Sequence, residues 1–352
     1  MATQTEIEGA RELILRFGWN ATAYQLVNPG IELWFCGDAV VGYVCNHNVR
    51  VVAGAPVCAL DDLPKVIEEW QSDATACGHK VCYFGAAGRI RKLLTRQRGY
   101  STVVLGSQPV WNPQTWAETV DAVASVRAQF NRARNKGVRV EEWPPEKAQN
   151  HPEMRRVLRE WLATRGLPPL HFLVEPETLA LLENRRIFVA LQGDHAVGFL
   201  VASPIPVRNG WLTEQFPRAR SAPNGTVELL VDYAVRAVAA DGAEYVTMGL
   251  VPLSSQGATA HEEPFWLRWL LGWVRAHGRR FYNFAGLETF KAKFKPDYWE
   301  PIYAISNERR FSFRTLYAVA AAFTRTSPVV AVLKGLRKAI RQEFRWLRGR
   351  RS

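Results

Sequence analysis

One hairpin pattern occurs twice in this sequence, once in each half. In each copy an apolar strand leads into the dipeptide Gly-Asp, and a second apolar strand that contains a glycine follows. The first copy covers residues 31–44 with its turn at Gly37 and Asp38, and the second covers residues 186–201 with its turn at Gly193 and Asp194. A two-residue turn between apolar strands is typical of a β-hairpin. Two copies in comparable settings indicate a duplicated domain.

The patterns around each hairpin indicate which domain is duplicated. The predicted helices cover residues 61–78, 86–98, 152–165, 177–184, 226–240 and 264–277, and the predicted strands cover 80–84, 102–105, 210–216, 245–250 and 298–305. Helices before a meander, followed by strand, helix and strand, is the order of the GCN5-related acetyltransferase (GNAT) fold.

The sequence therefore predicts an α/β protein made of two tandem GNAT folds. We expect an N-terminal GNAT-like domain at residues 1–140, which includes a connecting helix at 111–137. A linker at 141–145 opens a C-terminal GNAT-like domain at 141–306, which carries the catalytic site. A basic amphipathic helical tail at 307–352 completes the chain.

The positive charge of the chain is concentrated in this tail. The formal net charge is +12, and the residues from Asn307 onward hold 12 of the 45 Lys and Arg residues but only 2 of the 33 Asp and Glu residues. A basic segment of this kind is expected to bind phosphates, either of nucleic acid or of anionic lipids. Short apolar runs at 311–323 and 329–347, including Phe323, predict amphipathic helices in a membrane surface. The alternative is a helix that packs on the body with its basic side exposed.

Other classes of protein are disfavoured by what the sequence contains. The five cysteines are odd in number and show no Cys-x-x-Cys spacing, which argues against a disulfide framework and a zinc site and favours a reducing compartment. The acidic N-terminal residues do not resemble a signal peptide, and no apolar run approaches the roughly 20 residues of a membrane helix.

The loop at residues 222–226 corresponds to the loop that binds the pyrophosphate of coenzyme A in most GNAT enzymes. A helix N-terminus binds anions through its unpaired amides, and a helix is predicted to begin here. The usual glycine-rich pattern is missing, however. Thr226 is either a simple N-cap or part of a polar site for another ligand.

Several ordered pieces of the second half resemble one family, the C-terminal synthase domains of the multiple peptide resistance factor and the phosphatidylglycerol lysyltransferases. They are Gly-Trp-Leu-Thr-Glu-Gln-Phe-Pro-Arg at 210–218, Ala-Pro-Asn-Gly at 222–225, Glu228, Met-Gly-Leu-Val-Pro-Leu-Ser at 248–254, and Tyr-Asn-Phe-Ala-Gly-Leu-Glu-Thr-Phe-Lys-Ala-Lys-Phe at 282–294. The resemblance runs from about residue 17 to residue 306. Five pieces in the order of the family are more specific than any single motif.

The resemblance implies transfer of an aminoacyl group from aminoacyl-tRNA to a hydroxyl or amine of a membrane lipid such as phosphatidylglycerol. It implies no cofactor and no metal, since the ester is already activated. The implied partners are aminoacyl-tRNA and an anionic lipid, and the implied location is cytoplasmic and peripheral on the inner face of the membrane. Two alternatives stay open: a coenzyme A-dependent N-acyltransferase, and a non-catalytic RNA- or membrane-binding protein on a degenerate GNAT scaffold.

The candidate site residues fall into three groups. The catalytic candidates are Glu214, at the end of the central strand, and Glu228, in the first turn of the facing helix; favourable placement at a helix N-terminus is the alternative for Glu228. The substrate-binding candidates are Arg218, Asn224, Gly225, Thr226, Ser254, Asn283, Lys291 and Lys293. The candidates for contact with tRNA or lipid phosphate are Arg132, Arg134 and Lys136, for which a structural role is the alternative. For Lys291 and Lys293 the alternative is a solvated basic face.

Overall fold

The structure is a computed structural model that describes residues 2–95, 99–164, 171–254, 256 and 284–324. The first half contains α1 (Gln4–Phe17), β1 (Glu32–Cys36), β2 (Ala39–Asn46), β3 (Val49–Ala53), α2 (Leu63–Ala76), β4 (Lys80–Ala86), α3 (Gly88–Leu94), β5 (Ser101–Trp111), α4 (Trp116–Asp121) and α5 (Ala124–Asn135). The second half contains β6 (Val138–Trp143), α6 (Pro145–Gln149), α7 (Pro152–Ala163), β7 (Arg186–Gln192), β8 (His195–Ile205), β9 (Gly210–Thr213), α8 (Thr226–Ala240), β10 (Tyr245–Thr247), β11 (Val251–Pro252), α9 (Phe284–Ala292), β12 (Tyr298–Ser306) and α10 (Phe313–Thr324).

Both predicted hairpins form with the predicted turns. Cys36 pairs with Ala39 across the first turn, and Gln192 pairs with His195 across the second. Gly37 and Gly193 have positive φ angles of 53° and 60°, which glycine adopts without the steric cost that a Cβ imposes. The pattern that indicated a duplication is therefore present as two equivalent hairpins.

The two halves repeat one further arrangement, which confirms the tandem GNAT architecture. In the first half β3 runs parallel to β4, and α2 connects them. In the second half β9 runs parallel to β10, and α8 connects them. In each half a parallel pair with a helical crossover thus follows an antiparallel meander.

A single sheet of 12 strands unites the two halves, in the order β1-β2-β3-β4-β12-β5-β10-β9-β8-β7-β6, with β11 paired to β5. The predicted last strand forms as β12, but its partners are β4 and β5 of the first half. β5 in turn pairs with β10 and β11 of the second half. The halves therefore exchange strands, and the proposed domain limits at 140 and 306 stay a prediction that no break in the sheet marks.

Helices cover both faces of the sheet in each half. Over the strands of the second half, α8 and the preceding α5 enclose one apolar core with residues such as Phe130 and Leu230, whereas α7 encloses another on the opposite face with Met154 and Leu158. In the first half α2 and α3 cover one face, and α1 and α10 cover the other. The amphipathic faces of these helices supply the apolar contacts that hold them to the sheet.

Several predicted elements are wrong. The single connecting helix at 111–137 is replaced by the end of β5 and by the separate helices α4 and α5, and residues 138–143, which overlap the expected linker, form the edge strand β6 paired to β7. Residues 177–184 form turns rather than a helix. Helix α1, which begins with a capping box between Thr3 and Glu6, was not predicted. Only Cys58 and Cys82 of the five cysteines are buried.

The first predicted tail helix packs on the body, as the alternative for the tail proposed. Helix α10 belongs to the core of the first half, and the ring of Phe323 lies 5.2 Å from that of Phe84 and 5.4 Å from that of Phe172. The prediction that Phe323 enters a membrane is therefore wrong, because protein side chains surround it. The predicted helices at 264–277 and 329–347 lie outside the described residues, and none of the described helices has the length and hydropathy needed to cross a membrane.

Candidate functional site

An opening forms where the parallel strands β9 and β10 separate. Their register ends with Leu212 opposite Thr247. Beyond this point the chain after β9 stays with β8, since the Glu214 amide donates to the Val201 carbonyl at 3.0 Å. The chain after β10 instead joins β5, where the Leu253 amide donates to the Leu105 carbonyl at 2.7 Å. Because the two strands diverge, the backbone groups of residues 214–216 do not hydrogen-bond to those of residues 248–250.

Lys291 satisfies three of these backbone carbonyls. Its Nζ lies 2.6 Å from the Met248 oxygen, 2.8 Å from the Gly249 oxygen and 3.3 Å from the Leu250 oxygen. The residue is only 3% exposed, and burial lowers the pKa of its amino group to about 7. The alternative of a solvated basic face is wrong for Lys291, because its amino group is enclosed and directed at main-chain oxygens.

Lys293 and Glu228 form a direct ion pair at the start of α8. The Nζ of Lys293 lies 2.5 Å from a carboxylate oxygen of Glu228, and both side chains are largely buried. The Lys293 ammonium also lies 4.1 Å from the centre of the Phe290 ring, which itself approaches Phe216 at 6.0 Å. A buried ion pair beside aromatic rings holds α9 against α8 and lines this side of the opening.

Glu214 occupies a different set of contacts. One carboxylate oxygen, Oε1, accepts a hydrogen bond from the Ser203 hydroxyl and lies 3.4 Å from the Nε of Arg185. Arg185 is itself buried, donates to the Leu181 carbonyl at 2.8 Å, and lies over the Tyr24 ring. Within the described chain the second oxygen, Oε2, has no hydrogen-bond partner, so Glu214 is held by one oxygen and retains the other as an acceptor.

The two candidate acids lie on opposite faces of the sheet. Glu214 follows β9 at the level of Val201, whose side chain belongs to the core beneath α7. Glu228 lies on α8, which covers the other face. The sequence prediction that both carboxylates serve one site holds only if a ligand reaches through the opening between β9 and β10.

The start of α8 packs closely on α5, and its first amide is already bonded. Gly225 has a φ of 94° and packs so closely on α5 that a Cβ would overlap the Gln129 carbonyl oxygen. The Thr226 amide and hydroxyl both return to the Pro223 carbonyl, at 3.2 and 2.7 Å. Thr226 is thus not the N-cap, a position that Gly225 holds without a side-chain hydrogen bond.

Of the remaining substrate-binding candidates, two are exposed, one is buried and one lies outside the described residues. Arg218 and Asn224 are exposed on the segment before α8. Ser254 is 5% exposed, and its hydroxyl accepts the Gln256 amide at 3.1 Å. Asn283 lies outside the described residues.

The basic cluster at the end of α5 includes a structural member. The Nη2 of Arg134 lies 3.7 Å from a carboxylate oxygen of Asp232, which is 1% exposed and also accepts bonds from Trp116 and Arg236. Arg132 and Lys136 are exposed, and within the described residues neither side chain forms an ion pair. The structural alternative therefore describes Arg134, whereas Arg132 and Lys136 stay candidates for phosphate contact.

Sequence analysis missed Arg185 and Ser203, which fix the position of Glu214. Arg185 stands directly before the second hairpin, in a stretch predicted to follow a surface helix, so no pattern indicated that it is buried. Ser203 lies two positions beyond the predicted strand of that hairpin. A polar residue within an apolar run of β8 was the available signal, since such residues are buried only with partners.

Fold and site together define a tandem GNAT-type protein whose second half has a charged opening between its parallel strands. The chain belongs to the family described as phosphatidylglycerol lysyltransferase, C-terminal, whose sequence profile matches residues 11–306.

Relatives and solved structures agree with this assignment. The phosphatidylglycerol lysyltransferase of Bacillus subtilis is 25% identical over 279 residues, which are 76% of this chain and 31% of that protein. The lysylphosphatidylglycerol biosynthesis bifunctional protein LysX of Mycolicibacterium vanbaalenii is 24% identical, over 78% of this chain and 25% of that protein. The chain thus spans between a quarter and a third of the length of these relatives.

Two solved structures share the fold. A C-terminal domain assigned to a lysylphosphatidylglycerol synthetase from Agrobacterium fabrum superposes with a TM-score of 0.75 at 19% identity, covering 91% of this chain and 97% of that one. L-PGS from Bacillus licheniformis superposes with a TM-score of 0.71 at 23% identity, covering 93% of this chain and 95% of that one. At these identities the likeness concerns the fold.

Proposed function

We propose that this protein is an aminoacyltransferase that moves an aminoacyl group from aminoacyl-tRNA to a hydroxyl or amine of a membrane lipid such as phosphatidylglycerol. The observation that carries the proposal is the extent of the family match, since residues 11–306 include both arms of the opening, Lys291, Lys293 and both candidate acids. The names of the relatives supply the lipid and the transfer, and the use of aminoacyl-tRNA is our proposal.

The proposed transfer reaction requires few catalytic groups from the protein. The acceptor oxygen or nitrogen forms a bond to the carbonyl carbon of the aminoacyl ester, and the bond from that carbon to the terminal ribose oxygen of the tRNA breaks. The proton of the acceptor ends on the departing ribose oxygen. Positioning of two substrates, a proton acceptor and stabilisation of the oxyanion are sufficient.

Glu214 is the residue that we propose to contact the reacting groups. Ser203 and Arg185 hold its Oε1, which leaves Oε2 to bind the α-ammonium of the transferred amino acid or to take the acceptor proton. We assign Lys291 a positioning role, because three carbonyls already occupy its ammonium. The Lys293–Glu228 pair lines the face covered by α8.

The geometry of α8 argues against the coenzyme A alternative. A pyrophosphate at this helix would need free amides at its N-terminus. Gly225 instead packs on α5, and the Thr226 amide is bonded to Pro223. Consumption of an acyl-coenzyme A in place of charged tRNA would overturn this reasoning.

The test supplies the protein with tRNA charged with a labelled amino acid and with a lipid extract. We expect a labelled lipid that does not form when ribonuclease is added first. Glu214→Gln keeps the hydrogen bond from Ser203 but removes the charge, and we expect it to lower kcat/KM by about 100-fold or more. The matched control is Glu244→Gln, at an exposed glutamate of the same half.

Two results would count against the proposal in different ways. Absence of labelled lipid with the unmodified protein would refute the function itself. Full activity of Glu214→Gln, with an unchanged melting temperature, would refute the role of Glu214 alone.

Membrane association of the tail is also a proposal, and the truncation that tests it must leave α10 in place. Because α10 packs on the first half, removal of everything after Ser306 would expose apolar core. Truncation after Thr324 retains α10 and removes the remaining basic tail. We expect it to abolish salt-sensitive binding to anionic liposomes without lowering the melting temperature; unchanged liposome binding would contradict this role of the tail.

A further inference from the structure

A cavity lies at the C-terminal end of α7, on the sheet face that also carries Glu214. Its volume is about 560 Å³, and it is lined by Arg156, Arg159, Glu160, Ala163, Arg220 and Ser221. Three of the six side chains are guanidinium groups, and one is acidic. None of the candidate residues from the sequence lines this cavity.

Both carboxylates near the cavity are bonded to Arg156. Arg156 donates to Glu153 at 2.9 Å and to Glu160 at 2.8 Å, and it also donates to the Ala196 carbonyl at 2.8 Å. Glu160 accepts the backbone amide of Arg220 at 3.0 Å as well, and this bond lowers the pKa of its carboxyl group. Arg156 thus lies between two carboxylates, and its positive charge is fully used by them.

Arg159 and Arg220 are the two arginines of the cavity that are exposed to solvent. Both residues are exposed, and the contact of Arg159 is a 3.4 Å bond from its Nε to the Arg155 carbonyl. In the described part of the chain the Arg220 side chain has no hydrogen bond or ion pair. Glu160 is the one acid among the six lining residues, against three arginines, so the lining carries a net charge of +2. The two exposed guanidinium groups have forked donors that match the oxygens of phosphate groups.

The cavity wall is firmly attached to the sheet and leads directly to the candidate site. The Phe199 amide donates to the Pro217 carbonyl, and the Ala219 amide donates to the Val197 carbonyl, both at 2.9 Å. Ala219 is buried beneath α7, so Arg218 and Arg220 on either side of it face outward. This segment connects Glu214 to the start of α8, and a ligand held there lies along the chain that joins the two candidate acids.

We propose that this cavity binds backbone phosphates of the RNA portion of aminoacyl-tRNA, through Arg159 and Arg220. The inference rests on the proposed function and adds to it the surface that receives the donor. RNA is favoured over a lipid bilayer because none of the large hydrophobic side chains that are exposed in the described chain lines this surface. Membrane insertion needs such side chains.

The test compares three double variants of the full chain. Arg159→Gln with Arg220→Gln removes the proposed phosphate contacts. Arg16→Gln with Arg139→Gln removes the same charge from exposed arginines elsewhere, and Arg132→Gln with Lys136→Gln tests the cluster at the end of α5. Binding of deacylated total tRNA is followed by fluorescence anisotropy between about 50 and about 300 mM salt, the range in which phosphate contacts are most visible.

We expect the Arg159/Arg220 variant to lower the slope of log Kd against log salt by about 2 and to weaken binding at least about tenfold near 0.1 M salt. We also expect a higher KM for aminoacyl-tRNA with unchanged kcat, since these contacts are equal in ground and transition states. The Arg16/Arg139 control is expected to retain the slope of the unmodified protein.

Three other outcomes would overturn either the assignment of this cavity or the function on which it rests. A slope equal to that of the unmodified protein would overturn the assignment of this cavity. Loss of liposome binding with tRNA binding retained would show that the surface receives lipid, and would overturn it too. If the unmodified protein does not bind tRNA at any salt concentration, the proposed function itself fails, which is distinguishable from failure of the cavity alone.

Discussion

Replacement of Lys291 by methionine tests the environment of the opening most directly. Lys291→Met keeps an unbranched apolar side chain that extends as far as Cε and removes the amino group that contacts three carbonyls. Burial lowers the pKa of the folded-state amine from 10.5 to about 7, so between these pH values the unfolded chain binds more protons than the folded one. The free energy of unfolding of the unmodified protein must then rise with pH in this window, by up to about 1.4 kcal/mol per pH unit.

The methionine variant lacks this titration, so the difference in stability must grow with pH. Between about pH 7.5 and about pH 9 we expect the destabilisation caused by Lys291→Met to increase by about 2 kcal/mol. Urea unfolding followed by tryptophan fluorescence at several pH values measures it. Lys295→Met, at an exposed lysine of the same segment, is the control and is expected to give a difference independent of pH.

Parallel stability curves for Lys291→Met and the unmodified protein would refute this reasoning. Three carbonyl oxygens at hydrogen-bond distance favour the ammonium form, whereas burial favours the neutral amine. Parallel curves would mean that the carbonyls outweigh burial and that Lys291 stays charged throughout.

Two further predictions concern the packing of α8. Gly225→Ala should cost about 3 kcal/mol or more, because the new Cβ meets both a positive φ and the Gln129 carbonyl, whereas Gly242→Ala at the other end of α8 has a positive φ but open space and should cost about 1 kcal/mol. Equal losses in urea unfolding would contradict the close packing of α5. Asp232→Asn should cost about 3 kcal/mol because it breaks a buried ionic cluster, and Arg134→Gln should cost less than about 1 kcal/mol because Arg134 is half exposed. A larger loss for Arg134→Gln than for Asp232→Asn would reverse this account.

Local patterns predicted the repeated unit well. The two Gly-Asp turns were correct to the residue because the two-residue loop fixes the register of the strands around it. The helix at 226–240 was also correct, since its apolar spacing and its preceding glycine both indicate it. Such features depend on neighbours in the sequence, and these are visible without a structure.

Features that depend on distant partners could not be predicted. The pairing of β12 with β4 and β5 joins residues from opposite ends of the chain, and no local pattern encodes it. Residues 138–143 contain two glutamates and two valines, which is a weak strand signal. Pairing with β7 stabilises them as a strand. Trp111 was assigned to a helix because its strand extends beyond the apolar run that predicted it.

The same limit applies to the site. The acids and lysines stay predicted site residues, but the main-chain partners of Lys291 and the contact of Glu214 with Arg185 could not be predicted, because both depend on tertiary approach. Tail residue Phe323 was misassigned because an amphipathic pattern does not distinguish a membrane from a protein core.

The insertion of β12 between β4 and β5 bears on how a nascent chain acquires this structure. As the protein emerges from the ribosome, β4 and β5 are made before the strand that separates them, which follows all the other described strands. Until residue 306 has been synthesised, β4 and β5 therefore lack the strand that pairs with both of them. Such late, long-range closure slows folding and leaves unpaired strand edges exposed to other chains in the meantime.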